Sequence, residues 1–298
     1  MIFKKLMGLA LVVLLASSLG AVSARAEISI GGKNFTEQLL LAEMTTIYLK
    51  NKGYEVTKRD GLGSAVLRRA QESGQVDIYW EYVGTSLLVY NKVAGGAEMS
   101  AAEAYRTVKR LDAEKGLIWL KPSAANNTYA LAMRKAEATA QGIVTLSNLV
   151  EQAKAKGDMT LAINSEWAGR PDGLPGFQKH YGIHWPRDDL RRMQTGLIYT
   201  ALKGGQVDVG LVFATDGRIA AFDFQVLEDD KNFFPNYALT PVIRKETLAA
   251  NPALRAQLNA LSAKLNDSTM RALNQRVDVK KETIEAVAED FLRSQGLI

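Results

Sequence analysis

A phrase that occurs twice constrains this chain more than any other feature. Ser73-Gly74-Gln75-Val76-Asp77-Ile78 returns in the second half as Gly204-Gly205-Gln206-Val207-Asp208-Val209. In each copy a helical run stops at glycine and a short apolar run follows, which reads as helix, stop and buried strand. The first strand is expected over 76–78 and leads into Tyr79, Trp80 and Tyr82. The second is expected over 207–212 and leads into Phe213, Thr215 and Asp216. Aromatic and hydroxyl side chains at the C-terminal ends of strands are where open α/β sheets bind ligands. Two such units predict two similar lobes facing one small-molecule site. The phrase is also a common helix-to-strand turn, and alone it leaves that reading open.

The rest of the chain fits the first reading. Residues 27–32 alternate like a strand, and residues 36–50 carry Leu39, Leu40, Met44, Ile47 and Tyr48 at helical spacing. A strand over 54–58, a helix over 65–72 and the strand at 76–78 complete a strand-helix order typical of a parallel α/β sheet. A helical run over 85–90, a helix over 100–114 and a strand over 116–120 follow. The chain is then expected to cross between lobes over 126–130. The second lobe reads as a helix over 146–155, a strand over 159–164, a Gly- and Pro-containing loop over 165–175 and a second sheet closing with 224–227. Each lobe places one cation just beyond a strand end, Lys33 in the first and Arg170 in the second. After the aromatic return 233–237 come a strand over 238–244 and three helices, over 251–265, 267–277 and 280–295. A helical tail packed on the first lobe requires a second crossing near Asn236, and two crossings make a hinge. The expected fold is α/β: two lobes, each a mainly parallel sheet with flanking helices, joined by the two crossings. Residues 27–128 with 237–298 form one lobe, and 129–236 the other.

Residues 1–26 stand apart. Lys4 and Lys5, an apolar run over 6–16 and Ala24-Arg25-Ala26 read as a secretory signal peptide cut after Ala26. The run is shorter than the roughly 20 residues a spanning helix needs. The sequence has no cysteine, which excludes disulfides, thiolate metal sites, a cysteine nucleophile and a cysteine-linked lipid anchor. A soluble periplasmic protein is expected. Without the three basic residues of 1–26 the formal charge falls from +5 to +2, and no basic stripe indicates nucleic acid.

Catalytic patterns are missing. His180 and His184 have i, i+4 spacing, but Gly182 and Pro186 interrupt a helix there, so metal binding is not expected. There is no Gly-x-Ser-x-Gly elbow and no phosphate-cradling Gly-Lys-Ser/Thr loop. Glu81 and Asp216 read as capping and salt-bridging carboxylates. What remains is aromatics and cations at loop positions: Tyr79, Trp80, Tyr82, Tyr129, Phe213 and Tyr237, with Lys33 and Arg170. Clustered aromatic faces attract quaternary ammonium groups. A lysine and an arginine can hold a carboxylate.

Four signatures carry a resemblance: Gly32-Lys33-Asn34-Phe35-Thr36-Glu37-Gln38, Trp80-Glu81-Tyr82-Val83-Gly84-Thr85, Asn127-Thr128-Tyr129-Ala130-Leu131 and Arg170-Pro171-Asp172-Gly173. Ala214-Thr215-Asp216-Gly217 and Pro235-Asn236-Tyr237 extend it over the chain beyond residue 26. The sequence resembles the substrate-binding proteins of osmoprotectant ABC importers, which take up glycine betaine, choline, carnitine or proline betaine. The resemblance implies a two-lobed periplasmic binding protein fold, type II-like, that closes on the ligand, an aromatic box of Tyr82, Tyr129, Phe213 and Tyr237, and a polar pocket of Lys33, Thr85, Asn127 and Arg170. It also implies a membrane-bound ABC permease as partner, a monomer, no cofactor, no metal and no catalysis. Phe213 stands where family members often have Tyr, and Asn127 where some have Asp. Two readings of other classes stay open here: an exported sensor or scaffold that binds another small amine or amino acid, and a hydrolase of unrecognised pattern.

Overall fold

A computed structural model describes residues 27–298, so the expected signal peptide lies outside the described residues. Among the described residues, ten strands form two sheets. The first contains β1 (Ile28–Lys33), β2 (Val56–Leu62), β3 (Ile78–Tyr82), β4 (Leu117–Trp119) and, from far along the chain, the last strand. The second contains β5 (Tyr129–Arg134), β6 (Leu161–Ile163), β7 (Leu190–Arg192), β8 (Val209–Phe213) and β9 (Phe224–Val226). The last strand, β10 (Leu239–Arg244), returns to the first sheet.

The two sheets share one topology. Their orders are β2-β1-β3-β10-β4 and β7-β6-β8-β5-β9, so they match strand for strand. In each, the first three are parallel and the fourth is antiparallel to both neighbours. The antiparallel strand is the one entered directly from the other sheet. The chain arrives at the edge where the parallel strands end, so it must run back against them. The two passages, 120–128 and 227–238, lie side by side: Asn126 bridges Ala238, and the Tyr237 amide donates to Asn126 Oδ1 at 2.7 Å.

The repeated phrase does the same work in both sheets. Gly74 and Gly205 sit at φ +81° and +71°, the left-handed region that ends a helix at glycine. Asp77 Oδ2 then accepts from the Ser29 amide at 2.9 Å, and Asp208 Oδ2 from the Thr160 amide at 2.8 Å. Each aspartate thus ties the start of one central strand to its neighbour.

Some boundaries differ from expectation. The strand expected over 76–78 is β3 at Ile78–Tyr82, so Tyr79, Trp80 and Tyr82 belong to the strand rather than to a loop after it. Tyr79 and Trp80 are core residues; Trp80 Nε1 donates to Thr45 Oγ1 of helix Thr36–Asn51 at 2.9 Å. The loop expected over 165–175 contains a short helix, Ser165–Gly169, capped by the Asn164 side chain, which accepts from the Trp167 amide at 2.7 Å. The helical run at 85–90 is a short α-turn, Val83–Thr85, continuing as a π-turn, Ser86–Tyr90. The C-terminal helices pack on the first sheet's side, Ile284–Ser294 and Asp267–Asp278 both lying against Thr36–Asn51.

Candidate functional site

The ends of the central strands from both sheets face each other. Lys33 closes β1, Tyr82 closes β3 and Phe213 closes β8. Tyr82 and Phe213 are the same position of the repeated unit, each four residues after the strand's start. Tyr129 opens β5 and pairs in register with Phe213. Thr85 lies in the turn after β3, Arg170 follows the short helix after β6, and Asn127 and Tyr237 lie on the two passages. Gly84 makes room for Tyr237: a Cβ there would lie 2.8 Å from the Tyr237 ring and 2.9 Å from the Asn236 carbonyl. All eight residues named from the sequence line one cavity of about 640 Å3.

The rings form a chain. Tyr129 meets Phe213 at 4.9 Å between centroids and Tyr237 edge-on at 5.3 Å. Phe35 completes it, stacking on Phe213 at 5.5 Å and on Tyr82 at 6.3 Å, with interplanar angles of 8° and 23°. Sequence reasoning did not name Phe35 as a wall. It stands two residues beyond the end of β1, and the strand-end argument that picked out Tyr82 applied to it as well.

The cations have protein partners. Lys33 Nζ lies 2.6 Å from Glu81 Oε1 and 5.0 Å from the centre of the Tyr82 ring. Glu81 also accepts from the Tyr79 hydroxyl at 2.8 Å and the Tyr82 amide at 2.7 Å. Arg170 is held by Asp172 through two hydrogen bonds, Nε to Oδ1 at 2.8 Å and Nη2 to Oδ2 at 2.5 Å. Its Nη1 donates to Glu166 Oε1 at 2.9 Å, and its guanidinium carbon lies 5.4 and 5.8 Å from the Tyr129 and Tyr237 ring centres. The Tyr237 hydroxyl donates to Asp172. A third cavity cation, Arg218, pairs with Asp216 at 2.5 Å and Asp278 at 3.2 Å. The sequence offered Lys33 and Arg170 as a pocket for a ligand's carboxylate; each already holds a carboxylate of the protein. Glu81 and Asp216 are the salt-bridging groups they were expected to be.

Contacts between the two sides close the cavity. Ser64 donates to Glu166 at 2.9 Å, and Thr85 Oγ1 stands 3.4 Å from both terminal nitrogens of Arg170. The most buried junction is Glu37, at the start of helix Thr36–Asn51. Its Oε1 accepts from the Tyr82 hydroxyl and Asn127 Nδ2, both at 2.8 Å; its Oε2 accepts from the Thr215 hydroxyl at 2.5 Å and Asn274 Nδ2 at 3.3 Å. Burial pushes the Glu37 carboxyl above its ordinary value, and the four hydrogen bonds pull against this without cancelling it. Sequence reasoning gave Glu37 no role. The Asn127 Oδ1 atom is buried without a hydrogen-bond partner. His180 lies outside this cavity, its ring nitrogen 3.0 Å from the Lys231 carbonyl, and no three His, Cys, Asp or Glu side chains among the described residues are grouped to hold a metal.

A family model described as the substrate binding domain of ABC-type glycine betaine transport systems matches residues 26–294. A glycine-betaine-binding protein of Pseudomonas aeruginosa is 47% identical over 92% of this chain and 90% of its own. The glycine betaine-binding protein YehZ of Escherichia coli is 32% identical, with 98% of both chains covered. Among solved structures, one described as a glycine betaine/carnitine/choline ABC transporter shares 32% identity over 91% of this chain and 99% of its own, with a TM-score of 0.74. Substrate-binding proteins of this kind are not enzymes and typically act outside the cytoplasm. The chain belongs to the family of substrate-binding domains of ABC-type glycine betaine transport systems.

Proposed function

We propose that this protein captures a quaternary ammonium solute, glycine betaine or a related betaine or choline, in the cavity between its two sheets and delivers it to an inner-membrane ABC permease. In this reading residues 1–26 are removed on export and the periplasmic monomer closes as two lobes, 27–128 with 237–298 against 129–236. Tyr82, Tyr129, Phe213 and Tyr237, with Phe35, are the ammonium walls; Lys33, Thr85, Asn127 and Arg170 are the polar contacts. One observation carries the reading: five aromatic rings from separate chain segments converge on a single cavity of about 640 Å3. That volume is within the range of small-ligand sites. The names of the relatives support it. Each desolvated aromatic face contributes on the order of 0.5–2 kcal/mol to holding a cation.

The test is titration calorimetry on residues 27–298, stripped of ligand by unfolding and refolding, with glycine betaine, choline, carnitine and proline betaine. At least one should bind, and Tyr82→Ala and Tyr129→Ala should each weaken it by about 1–2 kcal/mol, roughly five- to thirtyfold. Absence of binding by all four, or alanine variants that bind like wild type, would overturn the assignment.

A further inference from the structure

Arg170 presents its charge unevenly. Asp172 takes the Nε and Nη2 edge, and Glu166 takes Nη1 at 2.9 Å. The two carboxylates are not alike. The Asp172 side chain is 2% exposed, as buried as Arg170 itself at 4%, whereas that of Glu166 is 37% exposed and lines the cavity. The other oxygen of Glu166 accepts from Ser64, on the opposite side of the cleft, at 2.9 Å. Glu166 thus makes the contacts that a bound carboxylate would make: one guanidinium N–H on one side, one hydroxyl on the other.

We propose that Glu166 sets the preference of this site between zwitterionic and purely cationic ammonium ligands. Its carboxylate occupies the free edge of Arg170, so a ligand carrying its own carboxylate must displace it or lie beside it. A ligand with only the ammonium charge, such as choline, need do neither and gains from the extra negative charge. The proposal rests on reading the cavity as an ammonium site. Around Arg170 there is one positive charge and two negative ones before any ligand arrives. A like charge about 5 Å away, at an effective dielectric constant of about 20, changes an equilibrium by about two orders of magnitude. The Glu166 side chain is more than a third exposed, so solvent screening should shrink the effect to about tenfold.

The experiment compares glycine betaine and choline on wild type, Glu166→Gln and Glu166→Asp by calorimetry. Glu166→Gln should shift the ratio of the two dissociation constants about tenfold toward glycine betaine, with glycine betaine binding tighter in absolute terms. Glu166→Asp keeps the charge and should leave the ratio within about threefold of wild type. An unchanged ratio in Glu166→Gln, or an equal loss of both ligands, would make Glu166 a strut for Arg170 and overturn the proposal. An equal shift in Glu166→Asp would assign the effect to shape rather than charge and overturn it too. If wild type binds neither ligand, the ammonium reading fails and this inference fails with it; if wild type binds both and only the ratio test fails, the ammonium reading stands.

Discussion

Glu37 offers the sharpest test of the electrostatics of the cleft. Its carboxylate is buried and its four hydrogen-bond partners are neutral donors: Tyr82, Asn127, Thr215 and Asn274. Glu37→Leu strands all four, and two of them, the Asn127 and Asn274 amides, cannot reverse direction. At about 1–3 kcal/mol for each buried group left unpaired, with partial relief by the two hydroxyls, the expected loss is about 3–5 kcal/mol. Glu37→Gln is nearly the same shape. With its amide oxygen toward Tyr82 and Asn127, its NH2 group faces the Thr215 hydroxyl, which can turn to accept, and Asn274, the one donor left facing a donor, across the longest contact; Asn274 keeps its 2.9 Å bond to the Thr215 carbonyl. The Gln variant should lie within about 1 kcal/mol of wild type at neutral pH. The pH dependence has a definite sign. Because burial raises the Glu37 pKa above 4.5 in the folded state, the folded protein holds that proton more tightly than the unfolded chain. The stability from this group is fully present below about pH 4.5 and is lost as pH rises through the folded value. Gln has no such loss, so the advantage of wild type over Glu37→Gln should narrow as pH rises from 5 to 8. Urea unfolding of both proteins across that range measures it. A difference that stays flat with pH, or a Gln variant as damaged as Leu, would refute the argument that burial dominates this carboxyl.

Two further outcomes follow from other sites. Phe213→Tyr adds a hydroxyl at a cavity wall that is 8% exposed; glycine betaine affinity should tighten by up to about tenfold, and calorimetry beside an apo melting curve checks it, since lower stability with unchanged affinity would remove Phe213 from the site. Asp112, under the first sheet, accepts from both terminal nitrogens of Arg68 at 2.8 and 2.7 Å, and from Ser86, Asn91 and Trp119. Burial opposes its charge, but these bonds and the Arg68 charge outweigh it and hold the carboxyl below its ordinary value. Its contribution is therefore present above about pH 3.8 and lost as pH falls through the lower folded value. Asp112→Asn, which leaves the buried Arg68 with only the partly exposed Glu72 as counter-charge, should cost up to about 3–5 kcal/mol at pH 7 and flatten the acid limb of a circular-dichroism titration; an unaltered acid limb would refute this.

What the sequence made legible, and what it hid, has a physical pattern. The helix over 36–50 declared itself through apolar spacing, and the sheets through the repeated Gly-Gln-Val-Asp phrase, because both are local signals. The start of β3 was misplaced because a central strand buried on both faces has no alternation to read, so Tyr79 and Trp80 looked like a loop. The helix Ser165–Gly169 was hidden by the glycines and prolines just after it, although Asn164 supplied a cap. The eight named site residues meet at one cavity because strand ends are predictable meeting points. Their polar partners were less accessible. Asp172 is two residues from Arg170, but Glu81 is 48 from Lys33, and the donors to Glu37 are 45, 90, 178 and 237 residues away. No spacing rule reaches those distances.

The pairing of the cavity cations bears on how the cleft can work at all. A cation buried without a partner costs several kcal/mol, so a cleft lined by bare Lys33, Arg170 and Arg218 would resist closing until an anion arrived. Here each has a carboxylate from its own side of the cleft: Glu81 for Lys33, Asp172 for Arg170, Asp216 for Arg218. These pairs survive any separation of the two sides. Among the contacts that would break are Ser64 with Glu166, Thr85 with Arg170, Tyr237 with Asp172, Glu37 and Asn274 with Thr215, and Arg218 with Asp278. Opening therefore exposes cations already oriented and neutralised, and closing requires little rearrangement of charge. That is preorganisation, which strengthens binding by lowering what must be ordered on association. It also moves selectivity away from the cations and onto the rest of the wall: the aromatic faces, the unpartnered Asn127 Oδ1 and Glu166, which is more than a third exposed. A change at Lys33 should then disturb the fold around Glu81 before it disturbs ligand choice, whereas a change at Glu166 should do the reverse.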